Sequence, residues 1–183
     1  MMRFSRNIAI SGTKAVCSYR RIAGIENDNE LPEIFLGSWI ARSLHDDFQV
    51  NARVECSFTR MAQDLGLDVD SELKRIMGSW RADVAIYEEG RPTAVIEIKV
   101  FDEGCRAQSV LRDLRKMRKL SSRTGIETYL AVLITSTSGA TCETRVRSLS
   151  NFLGHDFDYI DSPIVAGDGS ADWSWRFACG AFL

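Results

Sequence analysis

The sequence is short of histidine, and its cysteines do not pair. The two histidines, His45 and His155, have no companions at metal-ligand spacing, so neither is assigned a role. Five cysteines, Cys17, Cys56, Cys105, Cys142 and Cys179, are scattered and odd in number. No two have C-x-x-C spacing, which argues against a zinc ribbon or a disulfide framework and predicts reduced thiols. No apolar run approaches the roughly 18 residues of a membrane span, and the N-terminus lacks the apolar core of a secretory signal. The expected location is therefore cytoplasmic, with no membrane partner. Excess positive charge is also missing: 23 Lys and Arg against 25 Asp and Glu give a formal net charge of −2. That argues against general coating of nucleic acid but leaves room for a local basic groove. Repeats and low-complexity segments are absent. What remains is an ordinary globular composition, 45% hydrophobic and 26% charged, and enough chain for one domain with a real core.

One stretch lacks acids altogether. Residues 1–25 hold Arg3, Arg6, Lys14, Arg20 and Arg21, and no carboxylate precedes Glu26. An arm that touches phosphates, or a transit-like leader, is one reading. The other is a strand pair packed on the domain edge, since 7–10 and 15–19 are strand-like; that pair is the expectation. Next, Pro32 suits a first helical turn and Glu30 and Glu33 favour its positive end. The predicted helix runs to about Leu44, with Leu36, Ile40 and Leu44 on the stripe that Glu33 begins. Residues 48–58 read as a first core strand with imperfect alternation. A long excursion over 60–80 follows, with a short helix over 70–77 that ends at Gly78.

The organising stretch is 81–100, RADVAIYEEGRPTAVIEIKV. Residues 82–87 and 93–100 are rich in Val, Ile, Ala and Thr and predict a hairpin around a five-residue loop, 88–92. Strand faces alternate, so Glu97 and Lys99 share one face while Ala94, Ile96, Ile98 and Val100 share the other. Pairing Tyr87 with Thr93 places Asp83 opposite Glu97, with Cβ atoms about 4.5–5.5 Å apart. Two carboxylates that close repel unless a cation sits between them or one takes a proton. Lys99 alone neutralises only one, so this face reads as a divalent-metal site. A structural Asp83–Lys99 salt bridge with Glu97 in solvent is the competing reading.

A helix is predicted over 105–120. Ala107, Val110, Leu111, Leu114, Met117 and Leu120 form its inner face, and Gln108, Arg112, Arg115 and Lys119 a polar stripe. Arg106, Lys116, Arg118 and Arg123 add charge, and Asp113 is the only acid between Gly104 and Gly125. This cationic helix follows the carboxylate strand directly, so phosphate binding competes with a plain solvated face. Residues 128–135, TYLAVLIT, carry no charge and fit a strand buried on both faces. A turn over 136–140, a helix over 142–153, and late strands over 157–165 and 173–182 complete the chain. Trp173, Trp175 and Phe177 alternate on the last strand, which reads as edge packing rather than base stacking.

The order helix, strand, strand, strand, helix, strand, helix, with Asp83 separated by thirteen residues from Glu97-Ile98-Lys99, resembles the PD-(D/E)xK nuclease superfamily. The resemblance covers roughly residues 30–153. Ala82 stands where the name-giving proline would be. Gln108 echoes the helix glutamine of the RecB-like branch, with Arg112 in place of that branch's tyrosine. The resemblance implies a restriction-endonuclease-like fold, a mixed central sheet flanked by helices around an αβββαβ core. It implies one nuclease-like domain: a basic extension over 1–28, the core over 29–153, and C-terminal strands over 154–183. It also implies a Mg2+- or Mn2+-dependent phosphodiesterase acting on nucleic acid, DNA before RNA. Asp83, Glu97 and the Ile98 carbonyl would hold the metal with support from Glu33, and Lys99 would serve the attacking water. Gln108, Arg112, Arg115 and Lys119 would contact the substrate strand. A homodimer or a larger defence or repair complex is the expected setting. The alternatives are a catalytically silent nucleic-acid-binding module and an accessory subunit on the same fold.

Overall fold

Apolar residues on both faces of one sheet set the architecture. A computed structural model of the chain describes residues 3–23, 31–101, 107–136, 139–160, 165–166 and 172–182. The elements run α1 (Ser5–Ala23), α2 (Glu33–Phe48), β1 (Asn51–Ser57), α3 (Phe58–Asp64), α4 (Ser71–Met77), β2 (Arg81–Glu88), β3 (Arg91–Phe101), α5 (Ala107–Thr124), β4 (Glu127–Ser136), α6 (Gly139–Leu153), β5 (Phe157–Tyr159), β6 (Val165–Ala166) and β7 (Asp172–Phe182). The strands order as β1-β2-β3-β4-β7-β5, and the two-residue β6 pairs with β7 off this path. Among the described residues only β3 and β4 pair in parallel; the other pairs are antiparallel. A parallel pair needs a crossover, and α5 supplies it. The expected mixed sheet flanked by helices is thus present. Its helix–strand order from α2 to α6 is the anticipated one, with α3 and α4 inserted between β1 and β2.

Two cores lie on either side of the sheet. On one face Ile8, Val16, Leu36, Ile40 and Leu44 of α1 and α2 pack on Val84, Ile96, Ile98, Leu133 and Phe177. On the other, Met61, Met77, Val110, Leu114, Met117 and Val146 pack on Ala85, Val95, Leu130, Val132 and Ala178. This explains β4: its residues alternate between two apolar layers, so a charge on either face would be stranded. Among the described residues no helix is long and apolar enough to cross a membrane.

Several expectations change. Residues 7–10 and 15–19 are not strands but parts of α1. Phe4, Ile8, Ala15 and Val16, with Ser11 and Gly12, recur at helical spacing and are buried. The short apolar runs resemble strands only when read without that longer period. β1 spans Asn51–Ser57 rather than 48–58. Helix α2 continues to Phe48 before Gln49 turns left-handed at φ 57, and the unanticipated α3 starts at Phe58, capped by the Ser57 hydroxyl accepting from the Arg60 N–H. The hairpin turn is two residues, not five: Glu88 pairs with Arg91, and Glu89 and Gly90 both have positive φ, 49° and 79°. That is the geometry of a type I′ turn, whose twist matches the flanking strands. Tyr87 pairs with Pro92 rather than Thr93, and a register irregularity restores the expected pairing from Ile86 inward. β7 is an interior strand between β4 and β5, so Trp175 and Phe177 are buried in a core rather than at an edge. Of the late strand expected over 157–165, the described residues form β5 at Phe157–Tyr159 and the separate β6, and residues 161–164 lie outside the described residues. Helix α5 runs on past Leu120 to Thr124, with Leu111 only half-buried. Residues 102–104, 137–138 and Glu30 lie outside the described residues.

Gly12 lets α1 approach β7, because a Cβ there would run into the buried Phe177 ring. Gly12→Ala is expected to destabilise the fold by about 1–3 kcal/mol through overpacking, despite the better helix propensity of alanine. Chemical denaturation checks this; an equal or raised midpoint would mean that α1 does not dock through this contact.

Candidate functional site

The site forms at the end of β3 away from the turn. Ala94, Ile96 and Ile98 face the α1–α2 core and Val95 faces the other, so Glu97 and Lys99 project toward the α5 side. Val84 pairs with Ile96, and the next step of that register brings Asp83 and Glu97 opposite one another. Asp83 follows the parity of Ala85 and Tyr87, which also face α5. Both carboxylates are therefore on one face of the hairpin. The Asp83 carboxylate accepts a 2.6 Å hydrogen bond from the Ile98 N–H, which pins it to β3.

Lys99 is the hub. Its Nζ lies 3.1 Å from Glu97 Oε1, 3.7 Å from Glu33 Oε2 and 3.7 Å from Asp113 Oδ2. Glu33 reaches in from the first turn of α2, where its other oxygen accepts from the Val100 N–H at 3.4 Å. Asp113 comes from α5 and is also 3.5 Å from Lys116 Nζ. The structure thus gathers Asp83, Glu97, Lys99 and Glu33. Arg112 and Arg115 are exposed on α5, Lys119 is half-buried there, and Gln108 lies in its first turn.

Two acids beyond those expected join the cluster. Asp113 is buried despite its charge. Its signal was present: a lone acid in a cationic helix, three residues from Val110 and four from Met117, hence on the inward stripe. Glu55 sits on β1 between the pairs Val54–Val84 and Cys56–Ala82, and so across from Asp83. It has a positive φ of 50°, a conformation that a non-glycine residue rarely adopts inside a strand. No sequence pattern announces that.

Electrostatics follow from this crowding. Burial, then repulsion from Glu33 and Glu55, raises Asp83 to about 6, against the lowering effects of the Ile98 N–H and Lys99. Burial and the Asp83 charge raise Glu97 to about 7. The surrounding carboxylates raise Lys99 in spite of desolvation, so it stays an ammonium. With Asp83, Glu97, Glu33 and Asp113 ionised, Lys99 and Lys116 leave an excess of negative charge. Glu97 Oε2 is buried without a hydrogen-bond partner among the described residues. Hard carboxylate oxygens, a net anionic cluster and one orphaned oxygen match what a divalent cation requires. Yet no three His, Cys, Asp or Glu side chains among the described residues are grouped closely enough to hold a metal as they stand. The Lys99 ammonium lies among the acids instead.

The chain matches no family model, no curated protein and no solved structure compared with it. The fold and site define a mixed α/β protein with an acid cluster, built around one lysine, at the end of its central hairpin.

A raised carboxyl pKa means that the folded chain keeps protons the unfolded chain has released. Stability is then greatest below the unfolded values, 3.8 and 4.5, and falls as pH rises through about 6 and 7. In the presence of a chelator the melting temperature is expected to drop between about pH 5 and pH 8. Glu97→Gln should flatten that drop, and divalent cation added at the higher pH should reverse it in the parent. Identical pH profiles for parent and variant would contradict the electrostatic account.

Proposed function

We propose that this protein is a metal-dependent nuclease that hydrolyses phosphodiester bonds of nucleic acid, DNA before RNA. The observation that carries the reading is the convergence of Asp83, Glu97 and Lys99 on one face of the hairpin, with Glu33 entering from α2. The run α2-β1-β2-β3-α5-β4 around that hairpin supports the restriction-endonuclease-like core and the resemblance to the PD-(D/E)xK superfamily. Asp83 and Glu97, with the Ile98 carbonyl, would hold Mg2+ or Mn2+, and Glu33 would support it. That cation would supply Lewis-acid stabilisation of the charge that builds on the phosphodiester.

The remaining work falls to the chain itself. Lys99, kept protonated by its carboxylate neighbours, acts as a hydrogen-bond donor and fixed charge rather than as a base. It orients the attacking water or a phosphoryl oxygen. Asp113 and Glu33 hold its ammonium in place from two helices. Asp83 is fixed to β3 by the Ile98 N–H, on the same face of the hairpin as Glu97. Gln108, Arg112, Arg115 and Lys119 extend the contact to substrate phosphates along α5.

One observation favours a second reading. Lys99 already lies within 3.7 Å of three carboxylates, which suits a self-compensated structural cluster. The protein would then be a catalytically silent nucleic-acid-binding module or an accessory subunit of a defence or repair complex.

Glu97→Ala and Lys99→Ala are expected to reduce Mg2+-dependent cleavage by at least about 100-fold while circular dichroism shows the fold retained. Parent-like cutting by both variants would remove the assignment, as would calorimetry without uptake of magnesium or manganese. Arg112→Ala should weaken substrate binding and reduce its salt slope by about one. An unchanged slope would take Arg112 off the substrate path.

A further inference from the structure

A cavity lies away from the acid cluster. It lies between α1 and α2, holds about 670 Å3, and is lined by Lys14, Cys17, Arg21, Trp39 and Arg42. Asp46 and Asp47 also reach it, but each is engaged by one of these cations: Arg42 Nε is 3.3 Å from Asp46 and Lys14 Nζ is 2.9 Å from Asp47. Arg21 has no carboxylate partner among the described residues, and α1 carries no acid anywhere along its length. The cavity therefore combines the Arg21 guanidinium, unpaired among the described residues, with the half-buried Trp39 ring, over which the Arg42 guanidinium lies at 5.9 Å. A cation beside an aromatic face suits a ligand that is anionic at one end and planar at the other.

The cavity and the site share helix α2. Phe35 stacks on Trp39 at 5.6 Å and 26°, and Tyr19 of α1 packs edge-on against Phe35 at 4.8 Å. Phe35 is in the same first turn of α2 as Glu33. At the helical rise, Trp39 and Glu33 are about 9 Å apart along the axis. We propose that this cavity binds one nucleotide unit of single-stranded nucleic acid, its base against Trp39 and its phosphate at Arg21, with Lys14 and Arg42 at the rim. The proposal rests on the nuclease reading for where the strand leads, since the next units would pass along α2 toward Glu33. Binding itself does not depend on cleavage.

The test uses the full chain with a fluorescein-labelled oligothymidylate in anisotropy titrations, in chelator so that nothing is cut. Trp39→Ala and Arg21→Glu are each expected to raise Kd about tenfold or more, and Arg147→Ala, on α6 across the sheet, to leave it near the parent value. Arg21 is exposed, so its substitution leaves the core untouched, and Trp39→Leu, which fills the space without an aromatic face, serves if the alanine variant misfolds. Maleimide labelling of Cys17, located by mass spectrometry, should slow when the oligonucleotide is saturating. Thymidine monophosphate distinguishes the sources of this chemistry. If it displaces the oligonucleotide, the site accepts a free nucleotide; if it does not, the site requires the strand; both outcomes support the nucleotide assignment. Parent-like Kd in Arg21→Glu and Trp39→Leu, or unchanged labelling of Cys17, would overturn it. Binding lost in these variants with no cleavage by the parent would sink the nuclease reading alone. Cleavage that depends on Lys99 with unaltered binding in the groove variants would sink the groove alone.

Discussion

A buried carboxylate, Glu97, facing a half-buried one, Asp83, on a central hairpin is the constraint around which this protein is built. Such a pair is unfavourable wherever apolar side chains surround it, because desolvation and mutual repulsion act in the same direction. Lys99 meets part of that cost from its place two residues along β3, and Asp113 and Glu33 then hold Lys99. The cluster needs three separate elements to close: the hairpin, the start of α2 and the middle of α5. Moving any one would leave an ion without its counterion.

The two-core sheet makes that arrangement possible. Ile96 and Ile98 seal β3 against α1 and α2 on one side. The alternate positions face α5, where Val110, Leu114 and Met117 seal the layer and Asp113 lies between them in the helix. The same helix presents Arg112 and Arg115 to solvent. One element thus contributes apolar packing, an acid for the cluster and exposed cations. Helix α2 has a similar double role, with Glu33 at its first turn and the Phe35–Trp39 stack leading away toward the α1 cavity.

Strand periodicity alone places Glu97 and Lys99 together and sets Ile96 and Ile98 apart from them. The hairpin, α2, α5 and the uncharged β4 are legible for the same reason: each carries a period of two, a period of 3.6 or an unbroken apolar run over enough residues to be recognised. The cluster's first four members, Asp83, Glu97, Lys99 and Glu33, follow from such local patterns plus one pairing register. Residues 7–19 failed the same approach because two short apolar runs concealed one long helical stripe. A loop over 88–92 is expected because Pro92 suits a turn, yet Pro92 pairs with Tyr87 and the turn closes at Glu89-Gly90.

Local sequence therefore determined which side chains share a face, since that follows from backbone geometry within a few residues. Tertiary structure alone decided what each face meets. Asp113 becomes part of the cluster only because α5 crosses from β3 to its parallel neighbour β4 and lies over Glu97. Glu55 becomes a neighbour of Asp83 only because β1 pairs with β2 and turns left-handed at that point. Trp175 and Phe177 are core residues only because β7 inserts beside β4. Each of these contacts joins residues far apart in the chain, and their energies depend on burial and charge that arise only once the layers have packed.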